Sequence, residues 1–416
     1  MLQEFPNVTQ PFSGNVEISH KTQHVIETTG PPVASKCRPL FGEKLEAAKQ
    51  EFAKLKELGV VQASKSPWTS PIHLVPKNDT TWRIVGDYRR LNNATKKDCY
   101  PVPNISSLRC VLHGMTVFSK LDLVRGYNQI PMDSDSVEKT AVITPFGLFE
   151  YCRMPFGLCN ASQTFQRCMN ELFGSLPFVF VYIDDILVFS ANEEEHKSHI
   201  RQVFEILSKN NLLIGSEKCE FVKKSVSFLG YDISPRGIKP RKSKCEALEM
   251  VQPAETVKDL HSFLGAIGFY RHHIRNFAKI AAPLHDRLKI AKSKSEKLDW
   301  TDEELTAFVL LKEQLYSIIE HSFVDPSSNE FVVTSDASNR AIGAALYQIV
   351  GGKQNTIQFY SRKLTETETK YSTFDKELLA AHDAIQHLLP SIDGQSTTLL
   401  TDHKPLVSAL LKNNKK

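Results

Sequence analysis

The sequence predicts a multidomain α+β protein. At two places far apart in the chain, short apolar strands end on aspartates, and amphipathic helices with capping residues lie around and between them. The length, 416 residues, exceeds what one hydrophobic core organises and suits two to four domains. Hydrophobic residues at 41% and charged residues at 24% exclude a disordered or fibrous chain. No apolar run approaches the roughly 18–20 residues of a bilayer span. Residues 1–10 lack the basic-then-apolar layout of a signal peptide, so no membrane association is expected. Eight cysteines (Cys37, Cys99, Cys110, Cys152, Cys159, Cys168, Cys219 and Cys245) form no C-x-x-C pair. That fits reduced thiols in an intracellular compartment, cytoplasmic or nuclear, better than a zinc or disulfide framework.

Taken in order, the first thirty-odd residues, with Thr28-Thr29-Gly30-Pro31-Pro32, predict an extended arm. Residues 43–58 predict a helix stopped by Gly59. Extended stretches at 72–76 and 82–85 flank a turn at Lys77-Asn78-Asp79. Residues 116–123 predict a strand, as do 178–183 and 186–190. Asn192 predicts an N-cap, with Glu195 completing a capping box, and Ile200, Val203, Phe204 and Leu207 mark one helical face. Thr256 and Asp259 cap a further helix whose apolar face is Leu260, Phe263, Leu264 and Ile267. That helix lies in a basic block, 236–297, with 14 Lys+Arg against 6 Asp+Glu, a local net of +8 where the whole chain has +4. The block reads either as solvated surface or as a phosphate-backbone contact. Residues 289–297, dense in Lys and Ser, predict an exposed linker. Thr301 and Glu304 start a helix carrying Leu305, Phe308, Leu315 and Ile319, and a new domain opens with a strand at Phe331. No internal repeat is visible.

The run Phe178-Val179-Phe180-Val181-Tyr182-Ile183-Asp184-Asp185-Ile186-Leu187-Val188-Phe189 is the most informative. A bare Asp-Asp pair can be a solvated turn. Here apolar strands flank it on both sides, which sets two carboxylates at the rim of a core. Adjacent like charges near low dielectric are costly without a compensating cation. Hard oxygen ligands suit Mg²⁺ or Mn²⁺. Asp122, in Phe118-Ser119-Lys120-Leu121-Asp122-Leu123, also ends an apolar strand. Three carboxylates at one edge would make a two-metal site for in-line phosphoryl transfer.

With those acids stand further ordered motifs: Ser66-Pro67-Trp68-Thr69-Ser70-Pro71, Trp82-Arg83-Ile84-Val85-Gly86-Asp87-Tyr88-Arg89-Arg90-Leu91-Asn92, Met154-Pro155-Phe156-Gly157-Leu158 and Phe228-Leu229-Gly230-Tyr231. From about His24 to Leu410 the chain resembles the Pol region of gypsy-type LTR retrotransposons, reverse transcriptase followed by ribonuclease H. The resemblance implies a right-hand polymerase fold. An arm (1–36) precedes fingers (37–116), palm (117–235, with interleaved fingers segments), thumb (236–297), connection (298–328) and an incomplete ribonuclease H-like α/β domain (329–416). It implies an RNA-directed DNA polymerase acting on an RNA template, a DNA primer, RNA–DNA hybrid and dNTPs. Asp122, Asp184 and Asp185 match the catalytic ligands of two Mg²⁺ or Mn²⁺ ions. Lys77 and Arg83 match residues that hold the incoming triphosphate, a point charge and a forked guanidinium. Tyr127 matches an aromatic steric gate under the sugar, and Phe156 and Gly157 the nucleotide and template pocket. Leu229 and Gly230 match the primer grip. Arg271, Arg275 and Lys279, spaced by four, match thumb contacts to the duplex and would share one helical face if the helix runs that far.

A second acid set follows. Asp336 ends the strand that begins at Phe331, Glu377 lies near the start of a helix, and Asp402 ends the strand 397–402. By the resemblance these are ribonuclease H metal ligands, again for two ions. The chain stops soon after Asp402, before the fold's last strand, helix and fourth acid, so this domain is expected to be inactive as truncated. Neither an Asp-Thr-Gly or Asp-Ser-Gly protease motif nor an integrase-like zinc pattern is present. Two rivals remain: an RNA polymerase with a similar palm, disfavoured by Tyr127, and a non-catalytic nucleic-acid-binding remnant, disfavoured by the intact first acid set.

Overall fold

The computed structural model describes residues 2–16, 19–76, 82–318 and 320–413. The chain divides into two compact units, Met1–Asn104 with Thr116–Lys223, and Ile105–Met115 with Lys224–Lys416. The short piece 105–115 falls inside the segment expected as fingers, yet clusters with the second unit. The cause is Arg109, buried there with its guanidinium on Gln358 Oε1 (3.0 Å) and His273 Nε2 (3.1 Å).

The first unit carries nine strands among its described residues. They are β1 (Val61–Ala63), β2 (Ser70–Pro76), β3 (Trp82–Gly86), β4 (Val117–Asp122), β5 (Val142–Thr144), β6 (Gly147–Tyr151), β7 (Val179–Tyr182), β8 (Asp185–Ser190) and β9 (Glu220–Lys223). One sheet runs β1-β6-β5-β2-β3, the other β7-β8-β4-β9. Buried at every position after Asp185, β8 takes the apolar run Ile186 to Phe189 that a strand between two neighbours needs. Helix Gly42–Glu57 ends before Gly59, which has φ +68°. Helix Ala161–Phe173 buries Phe165, Cys168, Met169 and Phe173, and helix Glu193–Lys209 buries Ile200, Val203, Phe204 and Leu207. Asn192 caps the latter by accepting from Glu195 N, but the Glu195 carboxylate returns to Ala191 N, so the box closes one residue early. His196 on this helix hydrogen-bonds with Ser119 Oγ on β4 and Ser190 Oγ on β8, both at 2.7 Å, and burial pushes its imidazole down to about 4. A neutral buried histidine thus ties the helix to both aspartate-bearing strands.

The second unit begins with the antiparallel sheet β10 (Val226–Phe228), β11 (Tyr231–Ser234) and β12 (Gly237–Pro240). Helices Val257–Gly268, Phe277–Ile290 and Asp302–Tyr316 follow. Thr301 and Glu304 form a complete capping box on the last of these. Its buried face is Ala307, Phe308, Leu311 and Leu315; Leu305, expected there, is exposed, and Ile319 lies outside the described residues. Next come β13 (Glu330–Ala337), β14 (Ala341–Val350), β15 (Lys353–Lys363) and β16 (Ser396–Leu400), in sheet order β15-β14-β13-β16. β13 and β16 are parallel, and helix Thr373–Ile392, which leads from β15 to β16, packs Ala384, Leu388 and Ile392 into the core. No helix among the described residues is long and apolar enough to cross a membrane.

Candidate active site

The first unit's aspartates come together because of strand register. Asp122, last in β4, lies opposite Asp185, first in β8, and Asp185 pairs with Tyr182 across the β7–β8 hairpin. Asp184 sits in the turn between, after Ile183 at φ +55°. A β-branched residue in the left-handed region is strained and persists only where its surroundings hold it. Gln166 supplies the hold. Fully buried on helix Ala161–Phe173, its amide accepts from Ile183 N (2.8 Å) and donates to Val181 O (3.1 Å).

Burial pushes the Asp184 carboxyl up, and the charges of Asp185 and Asp122 add to it. Asp185 is also raised by burial, against the opposing pull of Lys120. Lys120 Nζ stands 3.5 Å from Asp185 Oδ1, and Lys218 Nζ stands 3.4 Å from Asp122 Oδ1. Among the described residues no three ligand-type side chains converge tightly enough to enclose an ion. Two lysines thus offset part of the charge of three carboxylates.

A cavity of about 770 Å³ is lined by Asp122, Asp184, Arg83, Phe156, Gly126 and Lys218, among others. Gly126 is required by close approach, since a Cβ there would come within 2.9 Å of Asp184 Cβ. Next to it, Tyr127 meets Phe156 edge-on at 4.9 Å and Phe165 at 5.6 Å, with its hydroxyl 3.0 Å from Ser162 Oγ. Arg83, exposed on β3, holds its guanidinium 6.0 Å above the Phe156 ring. Gly157 has φ +96°, and Asn92 pins its carbonyl at 2.9 Å. Lys77 lies outside the described residues.

Leu229 and Gly230 form the β10–β11 turn, at φ +48° and +87°. Both central residues lie in the left-handed region, as tight two-residue hairpin turns require. Gly230 O accepts from Tyr270 Oη (3.1 Å) and Arg241 N (2.9 Å). The basic stripe differs from expectation. Arg271, Arg275 and Lys279 do not share a helical face, because one helix stops at Gly268 and the next starts at Phe277, after Asn276 at φ +56°. Arg275 and Lys279 are exposed, whereas Arg271 is half-buried and donates to Ser361 O on β15.

The second acid set gathers on the other mixed sheet. Asp336 lies on β13 and Asp402 just beyond the end of the adjacent parallel β16, on a cavity of about 490 Å³ shared with Arg275 and Asn276. Glu377 Oε1 accepts from Ala337 N at 3.3 Å, while its buried Oε2 has no hydrogen-bond partner among the described residues. Burial first, then the charges of Asp336 and Asp402, push Glu377 up.

Residues 75–233 match the family described as reverse transcriptase (RNA-dependent DNA polymerase), and residues 326–416 the RNase H-like domain found in reverse transcriptase. The retrovirus-related Pol polyprotein from transposon 297 of Drosophila melanogaster is 36% identical over 98% of this chain and 38% of its own length. The corresponding polyprotein from transposon gypsy of the same species is 33% identical over 98% of this chain and 40% of its own. The chain thus carries a reverse transcriptase domain and an RNase H-like domain and is similar to retrotransposon Pol polyproteins. It spans about two-fifths of the length of these curated relatives. Foamy viral protease-reverse transcriptase, solved in complex with RNA/DNA hybrid, matches it with a TM-score of 0.86 at 24% identity, over 100% of this chain and 56% of that one. The fold is that of a right-hand polymerase joined to a ribonuclease H-like domain.

Sequence reasoning missed four residues of this candidate site. Lys120 was legible in principle, two positions before Asp122 and so on the same face of β4. Gly126 had a signal too, a glycine soon after a strand end. Gln166 and Lys218 had none, because their partners lie 17 and 96 residues away.

Proposed function

We propose that this chain catalyses RNA-directed DNA synthesis, joining a dNTP to the 3′ end of a primer annealed to an RNA template. The observation that carries the reading is the meeting of Asp122, Asp184 and Asp185 at one edge of the β4–β8 pair, with Asp122 and Asp184 lining a cavity that Arg83 and Phe156 also line. In that reaction the primer 3′-oxygen attacks the α-phosphorus, the bond to the β-phosphate oxygen breaks, and pyrophosphate leaves. The donor set fits two divalent cations: three carboxylates offer hard oxygens, Asp184 and Asp185 are pushed up by burial with the Asp122 charge adding to it, and cations relieve that excess of negative charge. Mg²⁺ or Mn²⁺ bound there supplies activation of the attacking oxygen and neutralisation of the triphosphate.

The chain's own residues do the remaining work. Arg83 is exposed on the cavity wall, where a guanidinium fork suits phosphate oxygens, and Phe156 orients it from below. Lys77 adds a point charge on this reading. Tyr127 excludes a 2′-hydroxyl by filling the space beneath the sugar. Leu229 and Gly230 present backbone to the primer, and the exposed Arg275 and Lys279 contact duplex phosphates. Asp336, Glu377 and Asp402 form a second metal site of ribonuclease H type. The test is extension of a DNA primer on an RNA template by the purified chain with dNTPs and Mg²⁺. Extension that stops on chelation and returns with Mg²⁺ is expected; hybrid binding with no extension under Mg²⁺ or Mn²⁺ would overturn the reading.

A further inference from the structure

We propose that Ser162 is a positioning residue for sugar selection: its hydroxyl locks the Tyr127 ring. This rests on the polymerase reading above and names a determinant of its specificity. Three contacts fix Tyr127. Its backbone is held by the turn Arg125–Asn128, where Asn128 N donates to Arg125 O at 2.7 Å and Gly126 lies against Asp184. Its ring is held at two edges, by Phe156 and by the fully buried Phe165. Among the described residues, its tip is held by Ser162 alone, at 3.0 Å.

The three holds differ in kind. Edge contacts between rings tolerate sliding and tilting, and Phe156 is itself 40% exposed, so it offers a yielding wall. A hydrogen bond at the phenolic oxygen acts at the greatest lever arm from Cβ and sets the ring's swing. Ser162 is well placed to do so. It stands one turn before Gln166 on helix Ala161–Phe173, and side chains at i and i+4 share a face. The same face therefore holds the Asp184 hairpin through Gln166 and the gate through Ser162. A gate referenced to the helix that also positions the carboxylates keeps a fixed clearance under the sugar at the reacting centre. A steric filter for one oxygen atom needs that constancy, since a swing of a fraction of an ångström admits a hydroxyl.

The experiment compares kcat/KM for a dNTP and the matching rNTP, in Mg²⁺ on an RNA template, in the parent chain and in Ser162→Ala, Ser162→Thr, Tyr127→Phe, Tyr127→Val and the double variant Ser162→Ala/Tyr127→Phe. One hydrogen bond of ordinary net strength corresponds to a loss of about 3- to 10-fold in the dNTP/rNTP ratio for Ser162→Ala. Tyr127→Phe should lose the same amount, the double variant no more than either single one, and Ser162→Thr should restore the ratio. A ratio in Ser162→Ala equal to the parent's, with Tyr127→Val losing discrimination, would overturn the role of Ser162 alone. Unchanged discrimination in Tyr127→Val would overturn the gate itself, and the lock with it.

Discussion

At the residue scale the site is dominated by charge that the fold holds at a cost. Asp184 and Asp185 are half-buried beside Asp122, and both carboxyls are raised by burial first, with the Asp122 charge adding to each. A raised carboxyl binds its proton more tightly in the folded chain than in the unfolded one. Its contribution to stability is present below the ordinary carboxylate range and lost as pH rises through the raised value. Asp184→Asn should therefore raise Tm at pH 7 in chelator by about 1–3 °C, with the gain vanishing below about pH 4. Calorimetry across that range checks it, and a mutant less stable than the parent at pH 7 would contradict it. The aspartates were legible in sequence because apolar strands ran into them without a turn residue. Their balancing lysines were not, because a surface lysine carries no local mark of the carboxylate it will meet.

At the element scale, the pieces with local signals formed as expected. The 43–58 helix, the Thr256 and Thr301 caps and the strand pair around Asp184-Asp185 all rest on spacing, capping or apolar runs. The misreadings involved tertiary partners. β15 carries Lys353, Gln354 and Asn355 at its start, too polar to announce a strand, and is held by its pairing with β14. Arg271 has the spacing of a helical stripe, but the chain breaks at Asn276 and turns its guanidinium onto β15. Arg271→Ala should thus lower stability by about 1.5–3 kcal/mol, the range for a hydrogen bond made by a charged group, and barely change the salt dependence of hybrid binding. Neutralising Arg275 and Lys279 together should instead flatten the log–log salt slope by about 0.9 for each duplex phosphate they neutralise. Equal salt slopes for the double variant and the parent would return both residues to solvated surface. The hairpin makes the sharpest demand. Gln166→Leu removes the partner of Ile183 N and Val181 O, so extension activity should fall at least about 10-fold, the kinetic equivalent of one missing neutral hydrogen bond plus an unsatisfied group. Activity at parental level would show that the strained turn holds itself.

At the scale of the whole molecule, two units each collect carboxylates at the ends of strands, and each buries neutral histidines. Burial pushes His24, His196 and His272 down to about 4 and His321 to about 3; it also pushes His273 well down, with the charges of His321 and Arg109 adding to it. A depressed imidazole contributes stability that is present above its unfolded value, about 6.5, and lost as pH falls through the folded one. Tm should therefore drop steadily from pH 6.5 to 4, opposite in sign to the aspartate effect; a flat profile would contradict the burial of these rings. The division into units was only partly legible, since nothing near Arg109 in sequence points to Gln358 or His273. On the proposed function, Asp122, Asp184 and Asp185 together hold the ions of a polymerase, which a Mg²⁺ titration checks. Primer extension on an RNA template and hybrid affinity are measured side by side for the parent, Asp122→Asn and Asp185→Asn across a Mg²⁺ titration. Extension should fall by about 10²–10³-fold in each mutant, as loss of one transition-state charge ligand implies, with hybrid affinity within a few-fold of the parent. Mutants that extend at comparable rates, or lose binding and extension in parallel, would contradict it.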